Sequence, residues 1–303
     1  MMRNGNEHYR GLVIATSKFT GQPMLPNKLC LITGATDGIG KEAASSLATQ
    51  GWRLLIQGRD PDKGARVVDE LKSRTQNPDI EFVQADFSSL SDVRRLAEQV
   101  MARAPHLDVL INNAGGAFEK RGVSTDGYEL TFAVNHLAPF LLTRLLLDSL
   151  KGSAAARIVT TASAAHRGAM LDFEDLQSTR RFTTMGAYGR SKLANILFTR
   201  ALAKRLQGKA VTATCLHPGL VRTNIARDMP AFGRVIFGLI ARFGRSPQQG
   251  AETLVYLASA PEVQGASGGY YVDRKLAPLS QAAQDDSAAE RLWSISEQLV
   301  GIG

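Results

Sequence analysis

Strand-length apolar runs alternate with helix-length periodic segments along most of this 303-residue chain, and few architectures accommodate that alternation. Residues 28–33 read as a first strand, 41–50 as the body of a helix and 53–57 as a second strand, after which Pro61 opens another helix. Further strands fit residues 80–84, 107–111, 157–161, 210–215 and 269–272, with helical patterns between them, notably at 126–150 and 187–206. Such a succession closes as a parallel sheet with helices on both faces. No internal repeat, low-complexity tract or linker divides the chain. The expectation is α/β: one doubly wound domain over 28–273 with a parallel sheet of about seven strands. A polar leader over 1–27 would precede it, and a helical tail over 274–303 would pack on it.

Ligands of such sheets bind beyond the carboxyl ends of the strands, where strand order reverses, so the chemistry is expected just after the strands. The first strand runs into Thr33-Gly34-Ala35-Thr36-Asp37-Gly38-Ile39-Gly40, and a helix follows. Glycines there remove side chains that would block a pyrophosphate from backbone amides, and they let the helix aim its positive end at that anion. The spacing is Gly-x-x-x-Gly-x-Gly, not the Gly-x-Gly-x-x-Gly of the simpler dinucleotide fingerprint. Gly34, Thr36, Gly38, Ile39 and Gly40 are therefore candidate cofactor contacts in a Rossmann-type domain. The second strand ends Gln57-Gly58-Arg59-Asp60. An acidic residue at this place would accept from a ribose 2′-hydroxyl, whereas an arginine suits a 2′-phosphate through paired hydrogen bonds. Arg59 thus favours NADP(H) over NAD(H). Asp60, beside Pro61, reads as a helix cap, and Lys41 as either an added positive charge or a solvated side chain.

Tyr188-Gly189-Arg190-Ser191-Lys192 falls in a helical pattern, which puts Tyr188 and Lys192 on one face as an i, i+4 pair. A free phenol titrates near pH 10 and is a poor base at neutral pH; a nearby ammonium would stabilise its anion. Tyr188 would then exchange a proton with a carbonyl or alcohol oxygen as a hydride moves. A Tyr and a Lys four apart also occur by chance on amphipathic helices, so the neighbours matter. The fifth strand ends Thr160-Thr161-Ala162-Ser163, placing the Ser163 hydroxyl at the mouth of the same site, or simply forming a turn. The fourth ends Asn112-Asn113-Ala114-Gly115, small and polar enough to pass beside an adenine ring. Asn135 lies within the next helix, where asparagine is a mediocre helix former; it is either functional or a satisfied core residue.

Lys and Arg exceed Asp and Glu by 36 to 28, but they are scattered, with no basic block interleaved with aromatics, and nucleic acid is not an expected partner. Cys30 and Cys215 sit in apolar strand-like runs and read as buried free thiols, and no metal-ligand spacing appears. There is no apolar stretch of about 20 residues for a membrane span. The apolar patch at 12–15 is too short for a signal-peptide core, so a cytoplasmic location is expected.

Together these residues resemble the short-chain dehydrogenase/reductase superfamily from about residue 28 to 273, with Thr33–Gly40, Asp86, Asn112–Gly115, Asn135, Ser163, Tyr188–Lys192 and Pro218-Gly219 in order. The resemblance implies that Tyr188 is the acid/base and that Lys192 lowers its pKa while binding the nicotinamide ribose. It further implies that Ser163 steadies the reacting oxygen and that Asn135 holds a water leading protons to Lys192. Asp86 would contact adenine, and Pro218, Gly219 and Thr223 would line the nicotinamide. Gly58-Arg59-Asp60, Ser163-Ala164-Ala165-His166, the segment 216–223 and the tail around Arg291-Leu292-Trp293 look most like the retinol-dehydrogenase-like branch, which includes WW-domain oxidoreductases. His166 reads as a loop residue near the substrate entrance.

In this architecture residues 224–246 form a lid. Ile225, Met229, Phe232, Ile236, Ile240 and Phe243 make an apolar stripe, with Arg227, Arg234 and Arg245 opposite. The stripe either packs on the domain or meets a small apolar carbonyl or alcohol substrate, with the basic face open to peripheral contact with an anionic membrane surface. Homo-oligomerisation is open. The rival reading is a dinucleotide-binding sensor or scaffold without turnover, against which the intact Ser163, Tyr188 and Lys192 argue.

Overall fold

The computed structural model describes residues 28–221 and 244–302; Thr223, the leader and nearly all of the expected lid lie outside them. In chain order the elements begin β1 (Leu29–Ile32), α1 (Gly38–Thr49), β2 (Arg53–Gly58), α2 (Pro61–Thr75), β3 (Ile80–Gln84), α3 (Leu90–Arg103) and β4 (Val109–Asn112). Next come α4 (Leu130–Phe132), a π-helical turn (Ala133–Leu137), α5 (Ala138–Leu145), α6 (Leu147–Lys151) and β5 (Ala156–Thr161). A 3-10 turn (Ala164–Gly168), α7 (Thr184–Arg205), β6 (Val211–His217) and α8 (Pro247–Ser259) follow. The described chain closes with β7 (Tyr270–Val272), β8 (Lys275–Leu276), α9 (Gln281–Gln284) and α10 (Asp286–Val300).

The strands form one sheet in the order β3-β2-β1-β4-β5-β6-β7-β8, parallel except for the last pair. Strand order reverses between β1 and β4, which opens a crevice beyond their carboxyl ends. Alternation along β1 shows how both faces are covered. Leu29 and Leu31 join a core with Leu96 of α3, Phe140 of α5, Leu197 of α7 and Trp293 of α10. Cys30 and Ile32 face the other core, with Leu47 of α1, Leu71 of α2 and Leu254 of α8. Both cysteines are buried and free.

The sheet has eight strands, one more than the sequence suggested. β8 is two exposed residues folded back through Asp273 and Arg274, both at positive φ (52° and 63°). That is the backbone of a tight hairpin, made without the glycine or asparagine that would have signalled it.

The helix expected over 126–150 is instead three short helices and a π turn. Buried Glu129 caps α4, accepting from the Thr131 and Phe132 amides at 2.7 and 2.9 Å. Pro139 has no amide to give the carbonyl four residues earlier, that of Asn135, and at this point the helix widens, with Ala138 N–H donating to Ala133 O.

His136, in that turn, is buried among Phe132, Phe140 and Phe198, and its Nε2 lies 2.9 Å from Ser296 Oγ of α10. Burial pushes its pKa down from 6.5 to about 4. An unfolded chain therefore takes up a proton that the fold refuses, and stability falls as pH drops from about 6.5 toward 4, by up to about 3 kcal/mol from this residue. We expect His136→Phe combined with Ser296→Ala to flatten the fall in urea midpoint between pH 6.5 and 5. An unchanged slope would show that His136 does not carry it.

Candidate active site

The turn after β1 is fixed by its neighbours before any ligand is considered. Thr33 Oγ1 accepts from the amides of Asn113 (2.9 Å) and Ala114 (3.0 Å), and Asn113 Nδ2 donates to Thr33 O at 3.0 Å. Gln57, at the end of β2, accepts from Gly34 N at 3.0 Å and donates to Ala85 O at 2.7 Å, tying three strand ends together. Thr33 and Gln57 are supports that the sequence did not single out, because a polar residue at a strand end has many ordinary uses.

The structure also revises what two of the glycines are for. A Cβ on Gly34 (φ +63°) would lie 2.8 Å from Ala114 Cα, and one on Gly40 would lie 2.4 Å from Gly34 O and 2.6 Å from Asn113 Nδ2. These two positions exclude side chains to let the turn close on the exit of β4. Asp37 caps α1 by accepting from Gly38 N at 2.8 Å, so the positive end of a 12-residue helix opens on the crevice, with Thr36, Gly38 and Ile39 at its rim. The cradle fits an extended anionic dinucleotide.

At the far end of the crevice Arg59 is exposed, and its guanidinium has no ion-pair partner among the described residues. Asp60 does cap α2, accepting from Lys63 N at 2.9 Å. Lys41 is paired with Glu70 at 2.6 Å, and Lys63 with Asp37 at 2.7 Å. Asp86 Oδ1 accepts from the amide and hydroxyl of Ser88. Asn112 points into the interior, its Nδ2 on Thr143 Oγ1 at 2.9 Å, whereas Asn113, Ala114 and Gly115 border the crevice.

The candidate reacting groups meet where β4, β5 and α7 converge. Ser163, after β5, accepts from Ala165 N at 3.2 Å, and its side chain lies beside that of Tyr188 on α7, where it favours the phenolate. One turn on, Lys192 is 3% exposed; its Nζ donates to Thr161 O at 3.0 Å and lies 5.5 Å from the Tyr188 ring centroid. Asn135, fully buried in the π turn, donates to Gly116 O and Ser191 Oγ and accepts from Gly116 N, all at 2.9 Å. Gly115 threads between them: a Cβ there would stand 3.0 Å from Asn135 Oδ1 and 3.3 Å from Lys192 Nζ.

Electrostatics here differ from the simple expectation of a lysine-lowered phenol. Partial burial pushes Tyr188 up to about 12, while the neighbouring Ser163 side chain pulls the other way. Burial also draws Lys192 down to about 8. At neutral pH the pair is a proton-bearing phenol beside an ammonium, the state suited to giving a proton to an oxygen that gains electrons.

His166 is not at an entrance. It is fully buried in the 3-10 turn, with Nδ1 2.7 Å from Ser163 O. Pro218 and Gly219 follow β6, Gly219 abutting the side chain of Arg245, which pairs with Asp273.

A doubly wound parallel sheet with a glycine turn at its switch point and a Ser–Tyr–Lys cluster one strand over defines a dinucleotide-binding oxidoreductase. The chain belongs to the short chain dehydrogenase family, whose model matches residues 28–232, and to its retinol-dehydrogenase-like branch. It is 43% identical over 283 residues to retinol dehydrogenase 12 of Mus musculus, covering 93% of this chain and 89% of that one. It is 41% identical over 300 residues to retinol dehydrogenase 14 of Homo sapiens, with the same coverage of 93% and 89%. Among solved structures, the RhlG/NADP active-site complex of Pseudomonas aeruginosa superposes with a TM-score of 0.65 at 28% identity, over 81% of this chain and 94% of that one.

Proposed function

We propose that this protein uses NADP(H) to interconvert a carbonyl, aldehyde or ketone, with an alcohol on an apolar substrate. The observation that carries the reading is the convergence of Ser163, Tyr188, Lys192 and Asn135 beside the dinucleotide crevice. When bound, the nicotinamide supplies or accepts a hydride. Gly34, Thr36, Gly38, Ile39 and Gly40 bound the pyrophosphate cradle, and Asp86, Asn113, Ala114 and Gly115 border the adenosine half. Asn112 supports that wall from inside. Pro218, Gly219 and Thr223 serve the nicotinamide end. Ser163 holds the substrate oxygen, Tyr188 gives it a proton, and Lys192 supplies positive charge and ribose contacts. Asn135 holds the proton path behind Lys192.

Support for the apolar substrate comes from the relatives named as retinol dehydrogenases and from exposed Met170, Met185 and Leu220 on segments around the mouth. No helix among the described residues is long and apolar enough to cross a membrane.

The test is NADPH and NADH consumption against a panel of apolar aldehydes and ketones. Turnover with NADPH is expected, and Arg59→Ala should raise the KM for NADPH about 10- to 100-fold, the loss of one or two charge-assisted hydrogen bonds, while leaving that for NADH nearly unchanged. Tight NADPH binding with no turnover across the panel would favour a sensor instead.

A further inference from the structure

His166 is a buried imidazole that the proposed reaction does not use, and its surroundings say what it supplies. Ser163 O is a carbonyl and can only accept, so the 2.7 Å contact fixes His166 Nδ1 as the protonated nitrogen. The His166 amide donates to the same carbonyl at 3.2 Å, so Ser163 is gripped twice by one residue. The other nitrogen, Nε2, is then a lone-pair acceptor, and it is buried with no partner among the described residues. An unsatisfied buried acceptor is destabilising. The ring also packs edge-on against Tyr270 at 5.1 Å between centroids, a contact that a phenyl ring would make without that cost. What the imidazole adds is the bond to Ser163.

We infer that His166 is a positioning residue: its Nδ1–H fixes the Ser163 backbone so that the serine hydroxyl meets both Tyr188 and the substrate oxygen. This rests on the reading of Ser163 and Tyr188 as reacting groups. The titratable and charged groups facing His166 are Tyr270 of β7, His217 of β6 and its own neighbour Arg167, with the Arg245–Asp273 pair beyond His217. None of them contacts Ser163 O, so the bond has no substitute in this cluster.

Removing the donor leaves the Ser163 carbonyl held by the His166 amide alone and loosens the serine side chain that, beside Tyr188, favours the phenolate. His166→Leu should lower kcat about 10- to 100-fold, the scale of a small misplacement at a reacting centre, with little change in NADPH affinity. In alcohol oxidation the acid limb of kcat/KM should move to higher pH, toward that of Ser163→Ala. Asparagine sets its amide nitrogen where Nδ1 stands, and glutamine sets it where Nε2 stands. His166→Asn should therefore recover most of kcat and the wild-type pH profile, and His166→Gln should not.

Folding is checked by thermal melting of each variant, and if the leucine variant does not fold, the asparagine and glutamine variants decide. An unshifted pH profile in a folded His166→Leu, or asparagine no better than glutamine, overturns the inference. Tyr188→Phe is run alongside: if it keeps turnover, the function reading itself has failed, whereas its loss beside an unaffected His166 series overturns this inference alone.

Discussion

Tyr188→Phe should abolish turnover, lowering kcat by about 10³-fold or more, while NADPH affinity stays within about twofold. The hydroxyl is the group that the proposed mechanism has give a proton to the developing alkoxide, and positioned acids contribute about 10²- to 10⁴-fold. The aromatic ring, which lies 5.5 Å from Lys192 Nζ, is retained, so the lysine keeps its place and the crevice its shape. The direction of the phenol's displacement adds a second expectation. With Tyr188 held protonated well above neutrality and Lys192 drawn down to about 8, carbonyl reduction should begin to fall above about pH 8 as the lysine loses its charge, before the phenol ionises. Steady-state kinetics with a fluorescence titration of NADPH check both points. A variant keeping more than a tenth of wild-type kcat would remove Tyr188 from the chemistry.

Gly40→Ala is expected to be nearly as damaging by a different route. The added Cβ would stand 2.4 Å from a backbone oxygen, Gly34 O, and 2.6 Å from an asparagine nitrogen already committed to Thr33 O. Neither is the free end of a flexible chain. The turn must open, at a cost of about 1–3 kcal/mol or more, and the cradle opens with it. A lower melting temperature and loss of NADPH binding should appear together. Gly168→Ala is the control, since a Cβ there meets nothing within 4 Å. If Gly40→Ala binds NADPH normally, the cradle does not depend on this closure.

Sequence was most informative where one residue type has one use. Apolar runs gave the sheet, Asp60 before Pro61 gave a cap, and the glycine turn gave the crevice, because each depends on local chemistry. It was least informative where a residue's role is set by what lies across the fold. Asn112 and Asn113 are adjacent and identical in type, yet one bonds Thr143 inside the protein and the other laces the turn. His166 looked like an entrance residue because a histidine between Ala165 and Arg167 carries no sign of direction, and only the packing of β7 shows that it faces inward. Helical periodicity over 126–150 concealed the π turn, since the apolar spacing survives the widening that accompanies Pro139. Lys192 beside Tyr188 is visible in sequence as a charge, while the desolvation that raises the phenol's pKa belongs to the assembled site.

The narrow passage at Gly115 bears on how such a protein changes its diet over evolutionary time. Asn135 and Lys192 both press on one residue that lacks a side chain, so the reaction centre has no slack and little freedom to drift. Two of the exposed apolar residues around the mouth carry no such constraint: Met170 and Leu220 project from loops rather than from strands or α-helices. On the proposed reading, chemistry and appetite are mounted on separate parts of the fold, and a new substrate can be learned at the rim without the proton-transfer machinery being rebuilt.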